Sequence, residues 1–552
     1  MRRFERRLTL IAFSLAGMLS AAAQTTLPAS SAPTRPATET SASVKPLAAR
    51  LDAIFNAPEW ASAHWGVLVK DLETSEVLYE HEPGKSVMPA SNMKLFTTAA
   101  SLVTLGADYQ FKTNIYASGP IDSAGTLHGN IYIVGSGDPS ISGRYLDTPT
   151  TAILAQWADA ITSAGIRKID GDIIGDDDIF DDKAFSGSWQ YDYLQEWYAA
   201  ENSGLAINDN CWDALFSPTI ETLRGQYLGR PGSNLPATKL ALRTVDPLNT
   251  KYFQLNTEIA FTTSTSADNH NFVIQRLPNS NAITVSGTLA ANVDGISERD
   301  GLSSDDGWKY EVTRGKPVHE WGSIHNGTLF TVTLLQEQLE RSGVKVTGKP
   351  VDMDDMDPRT AEWQKANPGR VIHTHVSPPL SKILAIVNKP SQNFYADMLL
   401  KVVGAKVYGV GSWDNGEKVV KDLITTAGAD SKSFNMADGS GLSRRDLVEP
   451  RQVVALLAYM AGRSDFSAYH DSLPIMGVDG TLKGRMAGTP AEGKVHAKTG
   501  TIGGVRSLSG YLTGANGHRL VFCMIANNFY VPTSAATDAQ NRAVLELLNS
   551  GR

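Results

Sequence analysis

Two apolar periods alternate along this chain of 552 residues. Residues 46–56 place Leu47, Leu51, Ile54 and Phe55 at helical spacing, and the runs 65–69 and 76–79 read as two strands around a turn. A second helix is predicted over 90–105, with Pro89 at its start and Gly106 just past its end, where those residues suit a helix boundary. Its apolar side chains (Met93, Leu95, Phe96, Ala99, Ala100, Leu102, Val103) run nearly all round, so this helix is expected to be buried. From about 110 to 370 the texture changes to short strand-like runs at 131–134, 168–174, 239–242, 258–263 and 282–289, broken by Gly, Asp, Asn and Pro, with one helix over 326–341. Helical periodicity returns at 380–387, 395–403, 415–427 and 450–461. Strands near 494–501, 507–513 and 519–526 and a helix over 535–548 close the chain. If the early strands near 65 and the late ones near 520 share a sheet, the middle stretch is an insertion.

Composition alters this picture mainly at the N-terminus. Apolar residues at 42% and charged residues at 20% are ordinary for a soluble globular chain, which excludes wholesale disorder, a collagen-like repeat and a polytopic membrane protein. A net charge of -8 without a basic stripe argues against a nucleic-acid partner. Arg2, Arg3, Arg6 and Arg7 precede an uncharged run over 8–23 that closes on Ala21, Ala22 and Ala23. That is the pattern of an export signal cut after Ala23, and the run is too short and too weakly apolar for a membrane span of about 20 residues. No cysteine lies near the cut, which excludes a lipoprotein. Residues 24–44 are almost all Ser, Thr, Ala and Pro, a tether that cannot bury a core. Loss of 1–23 leaves 46 basic against 57 acidic side chains, net -11, in a protein expected in the periplasm or cell envelope with no stable membrane span. Cys211 and Cys523 cannot make a disulfide framework; one bridge or two buried thiols are both open.

Three short motifs carry candidate chemistry. In Ser91-Asn92-Met93-Lys94, at the first turn of the buried helix, a spacing of three puts the serine hydroxyl and the lysine amine on one face. A hydroxyl is a poor nucleophile until a base takes its proton, and burial lowers a lysine's pKa enough for it to serve. The helix N-terminus also favours negative charge developing at the serine. The pattern alone is weak, because Ser342-Gly343-Val344-Lys345 matches it too. Ser391-Gln392-Asn393 opens another helical run: the serine can relay a proton, and the asparagine can hold an amide by donating and accepting together. It reads equally as a helix cap, and Ser433-Phe434-Asn435 repeats it. Lys498-Thr499-Gly500, which occurs once, combines a cation and a hydroxyl with a glycine that lets a ligand approach the backbone, a receptor for a carboxylate. His373 and His375 alternate on a strand without an acidic partner at metal spacing, and Asp138-Pro139 after Gly135-Ser136-Gly137 does not suit a nucleotide loop.

Ser-x-x-Lys, Ser-Asp-Asn and Lys-Thr-Gly in this order mark β-lactamases and penicillin-binding proteins, and the chain departs from that set at Gln392. The spacing of 300 positions between Ser91 and Ser391 far exceeds that of small β-lactamases. Asp438-Gly439-Ser440-Gly441-Leu442-Ser443-Arg444, Leu473-Pro474 through Gly480-Thr481-Leu482, Ala497-Lys498-Thr499-Gly500-Thr501 and Gly135-Ser136-Gly137-Asp138-Pro139 narrow the match further. Over nearly all of residues 46–550 the chain resembles the class C low-molecular-mass penicillin-binding proteins, serine-type D-alanyl-D-alanine carboxypeptidases and endopeptidases of the cell envelope.

The resemblance implies an α+β fold. A penicillin-recognising, β-lactamase/transpeptidase-like domain with a five-stranded antiparallel sheet flanked by helices would occupy 45–110 and 370–552, interrupted by β-rich inserted domains over 111–369. It implies that Ser91 attacks the D-Ala-D-Ala carbonyl, Lys94 takes its proton, Ser391 passes a proton to the leaving amine and Asn393 holds the peptide backbone. Lys498 and Thr499 would bind the terminal carboxylate, and the N–H groups of Ser91 and Thr501 the oxyanion. Peptidoglycan stem peptides would be the substrates, β-lactams covalent inhibitors, with no cofactor and no metal. Asp176, in the run of acids at 176–178, is either part of a solvated loop or, by resemblance, faces the cleft and receives the amine of a diaminopimelate side chain. A secreted serine β-lactamase shares the motifs, and a non-catalytic peptidoglycan-binding protein shares the fold; the long insertion weighs against the first and the complete motifs against the second.

Overall fold

The computed structural model describes residues 46–227, 236–262, 270–290, 296–298, 308–310 and 317–550, so the expected export signal and tether lie outside the described residues. Early and late strands do share a sheet. Its antiparallel order is Val495–Ile502, Val505–Thr513, Arg519–Asn527, His64–Asp71, Val77–His81, with Trp65 opposite Ala526 and Lys70 opposite Val521. Strand side chains alternate between faces, and here both faces are covered. Val67, Val69, Phe522 and Met524 pack with helices Leu47–Phe55 and Thr533–Leu548 on one side. Leu68, Val521, Cys523 and Ile525 pack on the other, in the core that holds helix Met93–Leu105 and the helices Leu380–Asn388, Asn393–Tyr408, Trp413–Thr426 and Pro450–Ala461. Helix Met93–Leu105 is buried without interruption from Met93 to Leu102, as its all-round apolar pattern requires, and stops at Gly106 with φ 87.

Between these segments the chain builds a second sheet and core. Strands Pro350–Asp352, Ile173–Asp176 and Asn130–Val134 run parallel, and Lys112–Ser118 and Arg370–Val376 extend the sheet antiparallel. Helices Thr150–Ser163 and Gly327–Arg341 bury Ile153, Trp157, Ile161, Leu334 and Leu335 against Ile115, Ile131 and Ile133. Strand Arg370–Val376 pairs with Lys112–Ser118, so the boundary expected at 370 moves past Val376. Paired hydrogen bonds pin the crossover: Phe111 N donates to Ser377 Oγ at 2.9 Å, Ser377 N to Phe111 O at 3.1 Å and Leu380 N to Tyr109 O at 2.8 Å. Lys401, fully buried on its helix, ties the two parts again by donating to Asp181 Oδ1 at 2.8 Å, with its ammonium 4.2 Å from the Trp413 ring centre.

Two helices of the middle region are absent from the sequence expectation. Thr150–Ser163 carries Ile153, Leu154, Trp157, Ala158 and Ile161 at helical spacing, but its Thr and Ile content favours strand. Pro358–Ala366 is short and polar and is set by its ends, Asp357 capping Arg359 N and Thr360 N with Pro358 following. Cys211 and Cys523 are both buried and unbridged. Among the described residues no helix is long and apolar enough to cross a membrane. Trp157 is wholly buried in the second core. Trp157→Ala is expected to cost about 3–5 kcal/mol, measured as a lower urea midpoint.

Candidate active site

Two close backbone approaches shape the turn that carries Ser91. Residues Ala90–Asn92 form a 3-10 turn ahead of helix Met93–Leu105. Ala90 sits at φ 48, a left-handed conformation that a residue with a side chain adopts only when its surroundings compel it. At Gly441, itself at φ 84, a Cβ would lie 1.9 Å from Ala90 O; at Gly500 it would lie 2.8 Å from Pro89 O and 2.9 Å from Ser91 N. Glycine is therefore required at both positions. Asn92 Nδ2 donates to Lys498 O at 2.9 Å and Ser507 Oγ to Pro89 O at 2.7 Å, tying the turn to the neighbouring strands.

Lys94 is fully buried, and its amine meets three oxygens: Ser91 Oγ at 3.0 Å, Asn393 Oδ1 at 2.7 Å and Ser440 O at 2.6 Å. Burial pulls its pKa down to about 8 against the opposing pull of Asp397, Asp438 and Asp446. Those buried carboxylates also organise the turn that supplies Ser440 O. Asp397 Oδ1 accepts from Gly439 N at 2.6 Å, and Asp438 Oδ1 accepts from Gly441 N at 2.6 Å. Asp446 Oδ1 accepts from Ala437 N at 2.7 Å, while Thr97 Oγ1 on helix Met93–Leu105 donates to Gly439 O at 2.6 Å.

The second and third motifs meet at another buried lysine. Lys498 Nζ donates to Ser391 Oγ at 2.8 Å and to Thr499 O at 3.0 Å; burial, then the charge of Lys94, holds its pKa well below the usual lysine range. Ser391 lies at φ 66. Gln392 caps the following helix by accepting from Phe394 N at 3.0 Å, and Asn393 Nδ2 donates to Tyr198 O at 2.9 Å. Thr499 Oγ1 lies 2.7 Å from Thr481 Oγ1, and Thr501 Oγ1 accepts from the Arg506 guanidinium.

A cavity of about 280 Å³ opens on this cluster, lined by Ser91, Asn393, Thr501, Gly441, Tyr193 and Tyr198 among others. The two tyrosines were not among the sequence candidates. Their signal is the aromatic run Trp189, Tyr191, Tyr193, Trp197 and Tyr198, legible as composition but without a motif. Trp189 Nε1 donates to Asp438 Oδ2 at 2.8 Å, which joins this run to the turn behind Lys94. The acids nearest the tyrosine wall in sequence are Asp192 and Glu196, both of which act electrostatically on Tyr198.

Asp176 does not line this cavity. It ends strand Ile173–Asp176 and is buried there: its carboxylate accepts from Tyr132 OH on the neighbouring strand and from Asp178 N at 3.1 Å, which turns it into its own sheet. The expectation that it faces the cleft is corrected accordingly. Ligand atoms of Asp177, Asp178 and Asp354 come within 4.8 Å of one another nearby, with Lys365 paired to Asp178, and none of them lines the Ser91 cavity either. The decoy motifs resolve as structure: Ser342 is the C-cap of helix Gly327–Arg341, and Ser433 Oγ accepts from Gln452 Nε2 at 3.1 Å. His375 packs edge-on to Trp157, ring centres 5.8 Å apart.

The chain matches the D-Ala-D-Ala carboxypeptidase 3 (S13) family over residues 47–307 and 311–549. It is 32% identical over 491 residues to a D-alanyl-D-alanine carboxypeptidase of an Actinomadura species, covering 88% of this chain and 82% of the relative. The D-alanyl-D-alanine carboxypeptidase DacB of Haemophilus influenzae is 25% identical over 467 residues, 84% of this chain and 85% of the relative. The crystal structure of penicillin binding protein 4 (dacB) from Haemophilus influenzae shares the fold with TM-score 0.71 at 23% identity, covering 90% of this chain and 99% of that one. A second structure of that protein, complexed with a novel β-lactam, aligns with TM-score 0.65 at 24% identity over 91% of this chain and 98% of that one. The chain belongs to the D-Ala-D-Ala carboxypeptidase 3 (S13) family of class C low-molecular-mass penicillin-binding proteins and is a serine-type D-Ala-D-Ala carboxypeptidase.

Proposed function

We propose that Ser91 releases the terminal D-Ala of peptidoglycan stem peptides through an acyl-enzyme, and that β-lactams acylate the same serine. The observation that carries this is the three-way environment of Lys94. A neutral amine has two N–H donors and one lone pair. Asn393 Oδ1 and Ser440 O are obligate acceptors and take the two donors, which leaves the lone pair for the Ser91 hydroxyl.

Lys94 takes the Ser91 proton as Oγ bonds to the carbonyl carbon of the D-Ala-D-Ala bond. The oxyanion is received by the N–H groups of Ser91 and Thr501, each worth roughly 3 kcal/mol of barrier if typical. Collapse breaks the C–N bond, Ser391 passes its proton to the leaving amine and takes one from Lys498, whose amine already donates to Ser391 Oγ, and Lys498 recovers it from the proton that Lys94 took, so that Lys94 is neutral again. Water then attacks the ester with Lys94 again as base, freeing the shortened peptide and Ser91. Asn393 holds the substrate backbone, and Lys498 with Thr499 binds its terminal carboxylate.

A β-lactamase reading needs a base that speeds deacylation. Asp397, Asp438 and Asp446 are buried behind Lys94 and engaged with backbone N–H groups, which supports slow release of a β-lactam. A relative's β-lactam complex supports recognition at this fold. Work on peptidoglycan agrees with the export signal read from the N-terminus, and cross-link cleavage after D-Ala uses the same chemistry.

Ser91→Ala is expected to abolish both labelling by a fluorescent penicillin and D-Ala release; labelling at wild-type stoichiometry would refute the nucleophile. Because burial lowers the Lys94 pKa, its neutral base form is reached earlier: acylation should climb as pH rises toward about 8 and level off above it, where an unshifted lysine would keep climbing. Lys94→Arg, permanently charged, should slow acylation by about 10²–10⁴-fold at all these pH values. Digestion of purified peptidoglycan should convert pentapeptides to tetrapeptides, and loss of cross-linked dimers in the same digest reads out the endopeptidase activity.

A further inference from the structure

The middle residue of the second motif is wedged between a helix end and a buried carboxylate. Gln392 is 1% exposed, and its two ends face opposite demands. Oε1 accepts from Phe394 N at 3.0 Å, and Nε2 donates to Asp209 Oδ2 at 3.0 Å. The amide orientation follows from chemistry, since a backbone N–H can only donate and an ionised carboxylate can only accept. On either side of Gln392 stand the residues that face the two lysines: Ser391 against Lys498, and Asn393 against Lys94.

Asp209 is delivered to this point by a costly piece of backbone. Asn208, Asp209 and Asn210 have φ of 54, 57 and 49, three successive left-handed residues none of which is glycine. Their neighbours enforce the turn. Asn208 Nδ2 donates to Cys211 O at 2.8 Å and to Asp213 Oδ2 at 2.6 Å, and Asn210 Nδ2 donates to Glu201 O at 2.8 Å. Arg144 sits beside the turn, Nε 3.5 Å from Asp209 Oδ2 and Nη2 2.7 Å from Asp213 Oδ2. Strain of this kind persists where the surroundings over-determine it and is concentrated at functional sites.

We propose that Asp209 and Gln392 are positioning residues for the reaction: the Asp209 carboxylate, set by the left-handed turn, holds Gln392 and through it the placement of Ser391 and Asn393 against the two lysines. The same pairing accounts for the departure from Ser-Asp-Asn. An aspartate at position 392 could still cap the helix, but it would bring a second acceptor to Asp209 where a donor is needed. Asp209 thus belongs with glutamine at position 392 as one unit contributed by two distant parts of the chain. The inference rests on the acyl-enzyme reading above.

The test is an isosteric charge pair. In Gln392→Glu a carboxylate oxygen replaces Nε2 and faces Asp209. The pair can share one proton, and loses it as pH rises. The charged and titratable groups facing Asp209 are Arg144, Asp213, Tyr145, Cys211 and Tyr395. Comparison with the matched parent at each pH cancels their own titration. The acylation rate by a fluorescent penicillin, divided by that of wild type, should fall by about tenfold or more between pH 6 and pH 9, since the deprotonated pair repels. In the double variant Gln392→Glu with Asp209→Asn, divided by Asp209→Asn alone, the ratio should be flat, because the asparagine amide now at position 209 can offer an N–H to the introduced carboxylate. A flat ratio for the single variant, or the same fall in both backgrounds, overturns the proposal. Loss of fold alone would lower the ratio equally at both pH values and so also counts against it. Absence of labelling in wild type itself would instead sink the acyl-enzyme reading.

Discussion

A lysine amine wholly removed from water is the constraint on which this site depends. Burial favours the neutral form of Lys94, and the carboxylates of Asp397, Asp438 and Asp446 favour the charged one; burial is the larger effect. The balance requires neighbours that are fixed. Asp397 and Asp438 do not bond the amine. They bind the backbone of the 438–441 turn, so that its carbonyl at Ser440 faces Lys94, while Gly441 in the same turn presses on Ala90. One turn therefore sets both an acceptor of the Lys94 amine and the backbone that leads into Ser91. Burial of the helix from Met93 to Leu102 keeps that amine from solvent.

The middle of the chain correspondingly helps to build the surroundings of Ser91 and Lys94. Tyr193 and Tyr198 form a wall of the cavity, Tyr198 O orients Asn393, Trp189 fastens the 438 turn and Asp209 meets Gln392. All of these come from residues between Ser91 and Ser391. A site assembled across such a crossover depends on how the crossover is held, and paired hydrogen bonds at Phe111 and Ser377 and the buried amine of Lys401 supply that hold. The local links are polar and directional, so they fix orientation in a way that apolar contact alone would not.

What was legible in the sequence divides along physical lines. Strands of the first sheet read as near-continuous apolar runs because both faces of the sheet are covered, and the helices around it keep a clear helical period. The contacts Lys94–Ser91, Lys94–Asn393 and Lys498–Ser391 join short words of the sequence, and only the first, a serine and lysine one helical turn apart, was implied by spacing within a word. Tyr193, Tyr198 and Asp209 lie in segments with no such word. They reach the site through 3-10 turns and left-handed backbone, which leave no periodic trace. Asp176 failed for a related reason: a run of three acids reads as a solvated loop, yet its first member terminates a buried strand and finds a tyrosine hydroxyl there.

The second motif shows why a structural and a functional reading of the same residues need not compete. Ser391-Gln392-Asn393 can be read as a helix cap, and it is one: Gln392 accepts from Phe394 N at the start of helix Asn393–Tyr408. Capping is what gives the motif its geometry. It fixes the chain where Ser391 adopts φ 66 and turns its hydroxyl to Lys498, and it places Asn393 at the first residue of the helix, with its side chain against Lys94. An ionised aspartate cap would supply acceptors alone. Glutamine supplies an acceptor for the helix and a donor for Asp209, so the residue that departs from Ser-Asp-Asn is the one that must satisfy two partners at once.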